Sequence, residues 1–238
     1  MKLPKRNLTT KLHYRKYLYK VNLYTELGFI FRAEFDRGVR LSYAAAKLDE
    51  IRTTLKDRGE YLILRFRTSF ALSEVQFKEA EKLYNLLIDS DDYKIRIERG
   101  YNLWIYSNTK SLIDDIIKVS PETVISYWDV EDNIAKFLSN NTNTVIVDKP
   151  TDYEYKVYLT QGSNGPAIAR WLENNTDKSR VGEKTLNDLK NNWIYGQYCY
   201  VKDSKVLLMY QLVSGGGNPR VEKLVYSGDI DKYNYGTE

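Results

Sequence analysis

The sequence predicts an α+β protein built from two small α/β domains, and three observations lead to this prediction. The chain has 238 residues, of which 42% are hydrophobic and 29% charged, proportions typical of folded globular proteins. Segments that alternate between apolar and polar residues, as strands do, are interspersed with segments of helical periodicity. A polar, turn-rich stretch at residues 139–144 separates two sets of such elements.

The sequence predicts that residues 1–58 form a basic arm followed by a strand and helix extension. Seven lysine and arginine residues precede the first acidic residue, Glu26. Residues 14–24 alternate as a strand, and residues 42–58 carry apolar side chains at helical intervals before Gly59. Two hypotheses remain open for the arm: a solvated segment that keeps the protein soluble, or a segment that attracts phosphate groups.

The sequence predicts that residues 59–130 form a βαββαβ unit around which the rest of the chain is organised. Strands are expected at 61–67, 93–98, 101–106 and 123–127, and helices at 73–88 and 109–119. Ser73 and Thr109 are suitable N-caps for the two helices. This order of elements is the split βαβ arrangement and predicts a ferredoxin-like or RRM-like fold.

Residues 131–152 predict a linker, because Pro150 follows soon after the polar stretch. Residues 153–238 predict a second α+β domain with strands that include 153–159 and 206–213. Two alternatives remain for this domain: a divergent copy of the central unit, or a different small α+β fold. No residue-level repeat recurs at a fixed period.

The composition limits the classes of protein and of site. Cys199 is the only cysteine and His13 the only histidine, which excludes an intrachain disulfide and a zinc site rich in cysteine or histidine. No apolar run approaches the roughly 20 residues of a membrane helix, and residues 1–20 lack the apolar centre of a signal peptide. We expect no cofactor, no membrane partner and a cytoplasmic location, which would be the host cytoplasm or the virion for a viral protein.

The candidate site is the open face of the central sheet. Residues 99–106 begin with Arg99, Gly100 and Tyr101 and end with Tyr106, and this stretch loosely resembles the RNP1 strand of RRM domains. Two registers are possible. In the RNP1 register Tyr101, Leu103 and Ile105 face outward, whereas in the other register Trp104 and Tyr106 do. A third alternative is a hairpin whose aromatic residues pack beneath the N-terminal strand.

The candidate nucleic-acid-binding residues combine positive charge with aromatic rings. They are Arg65, Arg67, Lys94, Arg96, Arg99, Tyr101, Trp104, Tyr106, Lys16 and Lys20. Bases would stack on the rings while the cations meet phosphates. No residue is assigned as catalytic or as a metal ligand.

Three functions follow as hypotheses. The first is non-catalytic binding of single-stranded RNA or DNA. The second is a viral, phage-like structural or accessory protein that acts through contacts with itself or other proteins, for which 21 tyrosines would serve as interface residues. In the third, two ferredoxin-like units with a Gly-rich loop at 214–219 are similar in outline to the Cas6 family of CRISPR RNA endonucleases. That resemblance implies a histidine as general base, for which only His13 is available.

Overall fold

The computed structural model describes residues 3–31, 41–65, 68–99, 101–215 and 219–234. The chain divides into two compact units. Unit 1 comprises Met1–Thr9 and Lys16–Val130, and unit 2 comprises Thr10–Arg15 and Glu131–Glu238. Each unit contains a five-stranded mixed sheet flanked by helices. The predicted α+β class is therefore confirmed.

Unit 1 contains seven strands, three α-helices and one 3-10 helix among its described residues. The elements are β1 (Lys5–Leu8), β2 (Tyr19–Tyr24), a 3-10 helix (Glu26–Phe31), α1 (Leu41–Arg58), β3 (Tyr61–Arg65), β4 (Thr68–Leu72), α2 (Glu74–Ile88), β5 (Tyr93–Glu98), β6 (Asn102–Ser107), α3 (Lys110–Val119) and β7 (Val124–Asp129). The strand order is β1-β7-β2-β6-β5. β1 runs parallel to β7, and the other neighbours are antiparallel.

The first strand of the predicted βαββαβ unit is corrected by the structure. β3, which covers the described part of the predicted strand 61–67, pairs with β4 in a separate hairpin. The position next to β6 is taken instead by β2, which also pairs with β7. β3 and β4 are close in sequence, so their pairing costs little loop-closure entropy.

One face of the unit 1 sheet is the core. Val21, Leu23, Leu103 and Ile105 are fully buried on this face. α3 packs against β2 and β6, and α2 packs against α3. The predicted N-cap of α2 is confirmed, because Ser73 Oγ accepts a hydrogen bond from the backbone N–H three residues later, at 3.2 Å.

Unit 2 contains five strands and five α-helices among its described residues. They are α4 (Asp132–Asn140), β8 (Thr144–Val147), β9 (Tyr155–Tyr158), α5 (Gly165–Asn174), β10 (Ser179–Val181), α6 (Glu183–Lys190), β11 (Tyr198–Val201), α7 (Ser204–Val213), β12 (Val221–Tyr226) and, after a 3-10 turn (Ser227–Asp229), α8 (Ile230–Asn234). α4 and β8 lie within the interval 131–152, for which the sequence predicts a linker. Helices α5, α6 and α7 contribute to a core on one face of the sheet, against Val157, Cys199 and Val201.

The strand predicted at 206–213 is wrong, since these residues form most of α7. Asp203 caps this helix, with its Oδ1 accepting a hydrogen bond from the N–H of Val206 at 2.9 Å. Val206 and Tyr210, one helical turn apart, are both buried. The segment is apolar almost throughout, so periodicity alone could not separate a strand from a helix.

The sheets of the two units have the same topology. Unit 2 has the order β8-β12-β9-β11-β10, with β8 parallel to β12 and the other neighbours antiparallel. In each unit the first strand lies at an edge beside the last strand, which runs parallel to it. The second strand, β2 or β9, lies in the centre of its sheet.

Candidate nucleic-acid interface

The face of the unit 1 sheet opposite its core gathers aromatic and cationic side chains. On β2, Lys20 lies opposite Tyr106 of β6 and Trp128 of β7. Residues directly opposite each other in an antiparallel pair point to the same face. We call this surface the Lys20 face, and by register it carries Lys20, Asn22, Lys94, Arg96, Trp104, Tyr106 and Trp128.

Lys20 forms cation–π contacts at the centre of this face. Its Nζ lies 3.5 Å from the ring centre of Trp128, 4.6 Å from that of Trp104 and 6.0 Å from that of Tyr106. The two indole rings have centres 6.0 Å apart and are inclined at 51°. The ammonium group is therefore held among three aromatic rings, an arrangement that attracts a cation through the ring quadrupoles.

The environment of Lys20 changes its protonation equilibrium. Burial lowers the pKa of Lys20 from its ordinary value of 10.5 to about 8, and the charge of Glu98 opposes this only in part. In the described part of the chain, no carboxylate lies within salt-bridge distance of Lys20. An anion bound beside this amino group would favour its charged form.

Two polar groups near Lys20 are buried and have no hydrogen-bond partner within the described ranges. They are Oδ1 of Asn22, a residue only 4% exposed, and Nε1 of Trp104. Asn22 and Trp104 are cross-strand neighbours on the Lys20 face. A buried group without a partner carries a desolvation cost that a ligand or an ordered water can relieve.

The register decides between the sequence alternatives for residues 101–106. Leu103 and Ile105 are fully buried in the core, so the RNP1 register is wrong at these two positions. Trp104 lies opposite Arg96, and Tyr106 lies opposite Lys94, as in the other predicted register. β2 lies beside β6 within the sheet, which contradicts the alternative in which these aromatic residues pack beneath the N-terminal strand.

Five of the predicted binding residues lie on the Lys20 face. The five are Lys20, Lys94, Arg96, Trp104 and Tyr106. Arg96 forms an ion pair with Glu98 at 2.7 Å, and Tyr106 is largely buried.

The remaining predicted residues lie elsewhere or outside the described part of the chain. Tyr101 contacts Tyr24, with ring centres 5.1 Å apart and the rings inclined at 58°. Arg99 adopts a positive φ of 53° before β6. Lys16 pairs with Asp92 at 3.3 Å. Arg67 and the side chain of Arg65 lie outside the described residues.

Among the described residues of the basic N-terminal segment, Arg6, Lys11 and Lys16 form ion pairs. Arg6 lies in β1, and its guanidinium lies 2.7 Å from the carboxylate of Asp129. Lys11 pairs with Glu222 of unit 2 at 3.3 Å. Since these cations already have acidic partners, the segment contributes less free positive charge than its sequence indicates.

Unit 2 carries a surface that corresponds in register to the Lys20 face and that was not predicted from the sequence. Residues 19–23 and 155–159 share the pattern Tyr-Lys-Val-x-Leu, and they lie in equivalent strands. Lys156 lies opposite Tyr200 as Lys20 lies opposite Tyr106. Its Nζ is 3.8 Å from the ring centre of Tyr198. The five-residue match was the available signal, but only the strand order shows that its two copies correspond.

Among the described residues, no group of three or more His, Cys, Asp or Glu side chains could hold a metal ion. His13 lies in the segment 10–15 of unit 2, and residues 216–218 of the Gly-rich loop lie outside the described ranges. Nor does any described helix combine the length and apolar character needed to cross a membrane.

Three comparisons, with protein-family models, with curated proteins and with solved structures, found no match.

Proposed function

We propose that this protein binds single-stranded nucleic acid without catalysis and that the Lys20 face of unit 1 contacts the strand. The observation that supports this most directly is the strand register, which gathers Trp104 and Trp128 with Lys20, Lys94 and Arg96 on the face opposite the core. Aromatic rings flanked by cations are the combination that single strands require, since every base has a stacking face and every nucleotide a phosphate.

The indoles and cations would play different parts. A base stacked on Trp104 or Trp128 is worth about 1–3 kcal/mol and depends little on base identity. Lys94 and Arg96 have exposed side chains along β5 and would meet successive phosphates.

We also propose that unit 1 is a ferredoxin-like βαββαβ unit whose first strand is β2, and that unit 2 is its divergent copy. The strands β2, β5, β6 and β7 support this, because they lie in the order β7-β2-β6-β5 with antiparallel neighbours. The segment from the 3-10 helix to β4 would then be an insertion. An experimental structure with another strand order in either unit would reject the assignment.

The binding proposal is tested by fluorescence anisotropy with labelled single-stranded RNA and DNA over a range of salt concentrations. Trp104→Ala should weaken binding by roughly 5- to 150-fold, the equivalent of one lost stacking contact. Lys94→Ala and Arg96→Ala should each reduce the slope of log affinity against log salt by about 0.7, because one phosphate contact is lost.

Lys118→Ala is the matched control, since Lys118 lies on α3, in the helical layer. It should leave both affinity and slope unchanged. The proposal is rejected if the wild-type chain binds neither strand at low salt, or if the Trp104, Lys94 and Arg96 variants bind as the control does.

A second candidate function, self-association or another protein contact, is favoured by α7. Leu208, Met209 and Leu212 are exposed on this helix, Leu212 by 75%. Large apolar side chains grouped on one helix are unusual on a surface that stays in water. Light scattering should show a concentration-dependent dimer that Leu208→Ser together with Leu212→Ser abolishes. A monomer at every concentration would exclude self-association.

A further inference from the structure

The Lys156 side of the unit 2 sheet repeats part of the chemistry of the Lys20 face, with Glu222 opposite Lys156 where unit 1 has Trp128 opposite Lys20. By register, Tyr200 occupies the position of Tyr106, and Tyr198 that of Trp104. Arg180 lies opposite Tyr200 as Lys94 lies opposite Tyr106. Two sheets of the same topology thus place aromatic rings and cations at equivalent positions.

The tyrosines of this surface form a continuous row. The ring centres of Tyr153 and Tyr200 are 6.2 Å apart, those of Tyr200 and Tyr198 5.5 Å, and those of Tyr198 and Tyr158 6.1 Å. Arg220 lies over the ring of Tyr158 at 4.7 Å. These separations lie within the range of favourable aromatic contacts, so neighbouring rings in the row stabilise one another.

Unit 2 also has a cleft at one end of this row. Its volume is about 810 Å³, and its lining includes Tyr153, Tyr198, Tyr200, Arg180 and Lys149. A volume of this size lies in the range of small-molecule sites, which is about 300–1,000 Å³. The lining combines ring faces with two cations and one acid, Asp148, so the cleft favours a flat ligand that carries negative charge.

We propose that this cleft binds a nucleoside phosphate, with the base against Tyr198 and Tyr200 and the phosphate at Arg180. Arg180 is exposed and lies directly across from Tyr200, so its guanidinium can meet a phosphate while the base lies on the neighbouring rings. Lys149, which also lines the cleft, provides a second cation. The inference rests on the proposed function, because a nucleotide of a bound strand has the same chemistry as a free nucleotide.

The experiment uses the full chain and two probes: AMP by isothermal titration calorimetry, and a short labelled single-stranded oligonucleotide by anisotropy. The test variants are Arg180→Ala and Tyr198→Ala. Their matched controls are Arg170→Ala and Tyr195→Ala in the same unit. Arg170 lies on α5, which packs on the other face of the sheet, and Tyr195 is 82% exposed outside the cleft lining. Thermal melting of each variant verifies that it is folded.

We expect Arg180→Ala and Tyr198→Ala to weaken binding of AMP at least about tenfold, and the controls to change it less than about twofold. Adenosine and inorganic phosphate should each bind more weakly than AMP. If only the oligonucleotide shows dependence on Arg180, the ligand is a nucleotide within a strand. If both probes show it, the cleft also accepts free nucleotides.

The inference is overturned if neither probe responds to the Arg180 and Tyr198 variants. A result that rejects binding at the Lys20 face is distinguishable from this one. In that case the Trp104→Ala and Lys94→Ala variants would bind the oligonucleotide as tightly as the wild type does. Binding that survives those two changes but is lost in Arg180→Ala would assign the activity to unit 2 alone.

Discussion

Lys20 and Trp128 are cross-strand neighbours in unit 1, and the amino nitrogen of Lys20 lies 3.5 Å from the centre of the Trp128 ring. Among the described residues, no carboxylate lies within salt-bridge distance of Lys20. Burial is therefore the largest influence on the pKa of this lysine. The contact links the folding of the sheet to the protonation of one residue.

Stability should therefore depend on pH through Lys20. Burial lowers its pKa from 10.5 to about 8 in the folded chain, so between these values the unfolded chain binds more protons. The contribution of Lys20 to the free energy of unfolding must rise as pH increases through this interval. Urea unfolding at several pH values should show the wild-type chain gaining stability relative to Lys20→Met. Lys118→Met, at an exposed site, should show no such gain. An unchanged difference between wild type and Lys20→Met would contradict the assignment.

Glu222 should contribute to the stability of unit 2. It is 4% exposed, and its carboxylate accepts hydrogen bonds from Tyr158 at 3.0 Å and from Lys11 at 3.3 Å, with Arg220 also adjacent. Glu222→Gln should lower the free energy of unfolding at neutral pH by about 1–2 kcal/mol, since the cations are partly exposed. Glu173→Gln, which breaks a more exposed pair with Lys190, should cost less than about 1 kcal/mol.

Glu222 should also make the free energy of unfolding depend on pH in the acidic range. Burial alone would raise the pKa of Glu222, but Arg220, Lys11 and Tyr158 outweigh it, and the pKa lies below its ordinary value of 4.5. The stabilisation is present above 4.5 and is lost as pH falls through the folded-state pKa. The difference between wild type and Glu222→Gln in denaturant unfolding should therefore shrink in acid. A difference that stays constant down to low pH would contradict this.

Gly165 is a position that tolerates no side chain. A Cβ there would lie 2.6 Å from the carbonyl oxygen of Leu189 and 3.1 Å from Cα of Asn192. Both contacts are with backbone, so Gly165→Ala should force α5 away from the end of α6 and destabilise unit 2 by about 1–3 kcal/mol. Gly182→Ser is the control, because a Cβ there meets no atom within 4 Å and serine is a favourable N-cap for α6. Thermal melts in which both variants match the wild type would refute the prediction.

Cys199 should report on the opening of unit 2. The thiol lies in the core, and burial raises its pKa to about 12. Because the thiolate is the reactive form, iodoacetamide should label the native protein far more slowly than the denatured protein. Mass spectrometry after timed labelling measures both rates. Equal rates in native and denaturing buffer would show that the core around Cys199 is open.

Local signals in the sequence located several elements correctly. The alternation of Ile95 and Ile97 with charged residues predicts β5, and Ser73 predicts the start of α2, as the structure has them. Period-two alternation predicts that Trp104 and Tyr106 share one face of a strand, but two registers stayed open, and the pairing with Arg96 and Lys94 in the structure decided between them. Helix α7 was missed because an almost uninterrupted apolar run has no periodicity to read.

The sequence by itself determined the α+β class and the exclusion of an intrachain disulfide. It placed Trp104 and Tyr106 on one face of a strand without deciding whether that face is outward. Only the tertiary structure decided that β2 rather than β3 lies beside β6, and hence that Lys20 and Trp128 meet. Only the strand order shows that Lys20 and Lys156 occupy equivalent positions in the two sheets. The physical reason is that alternation fixes which residues share a face of a strand, whereas the choice of neighbouring strand depends on contacts distant in sequence.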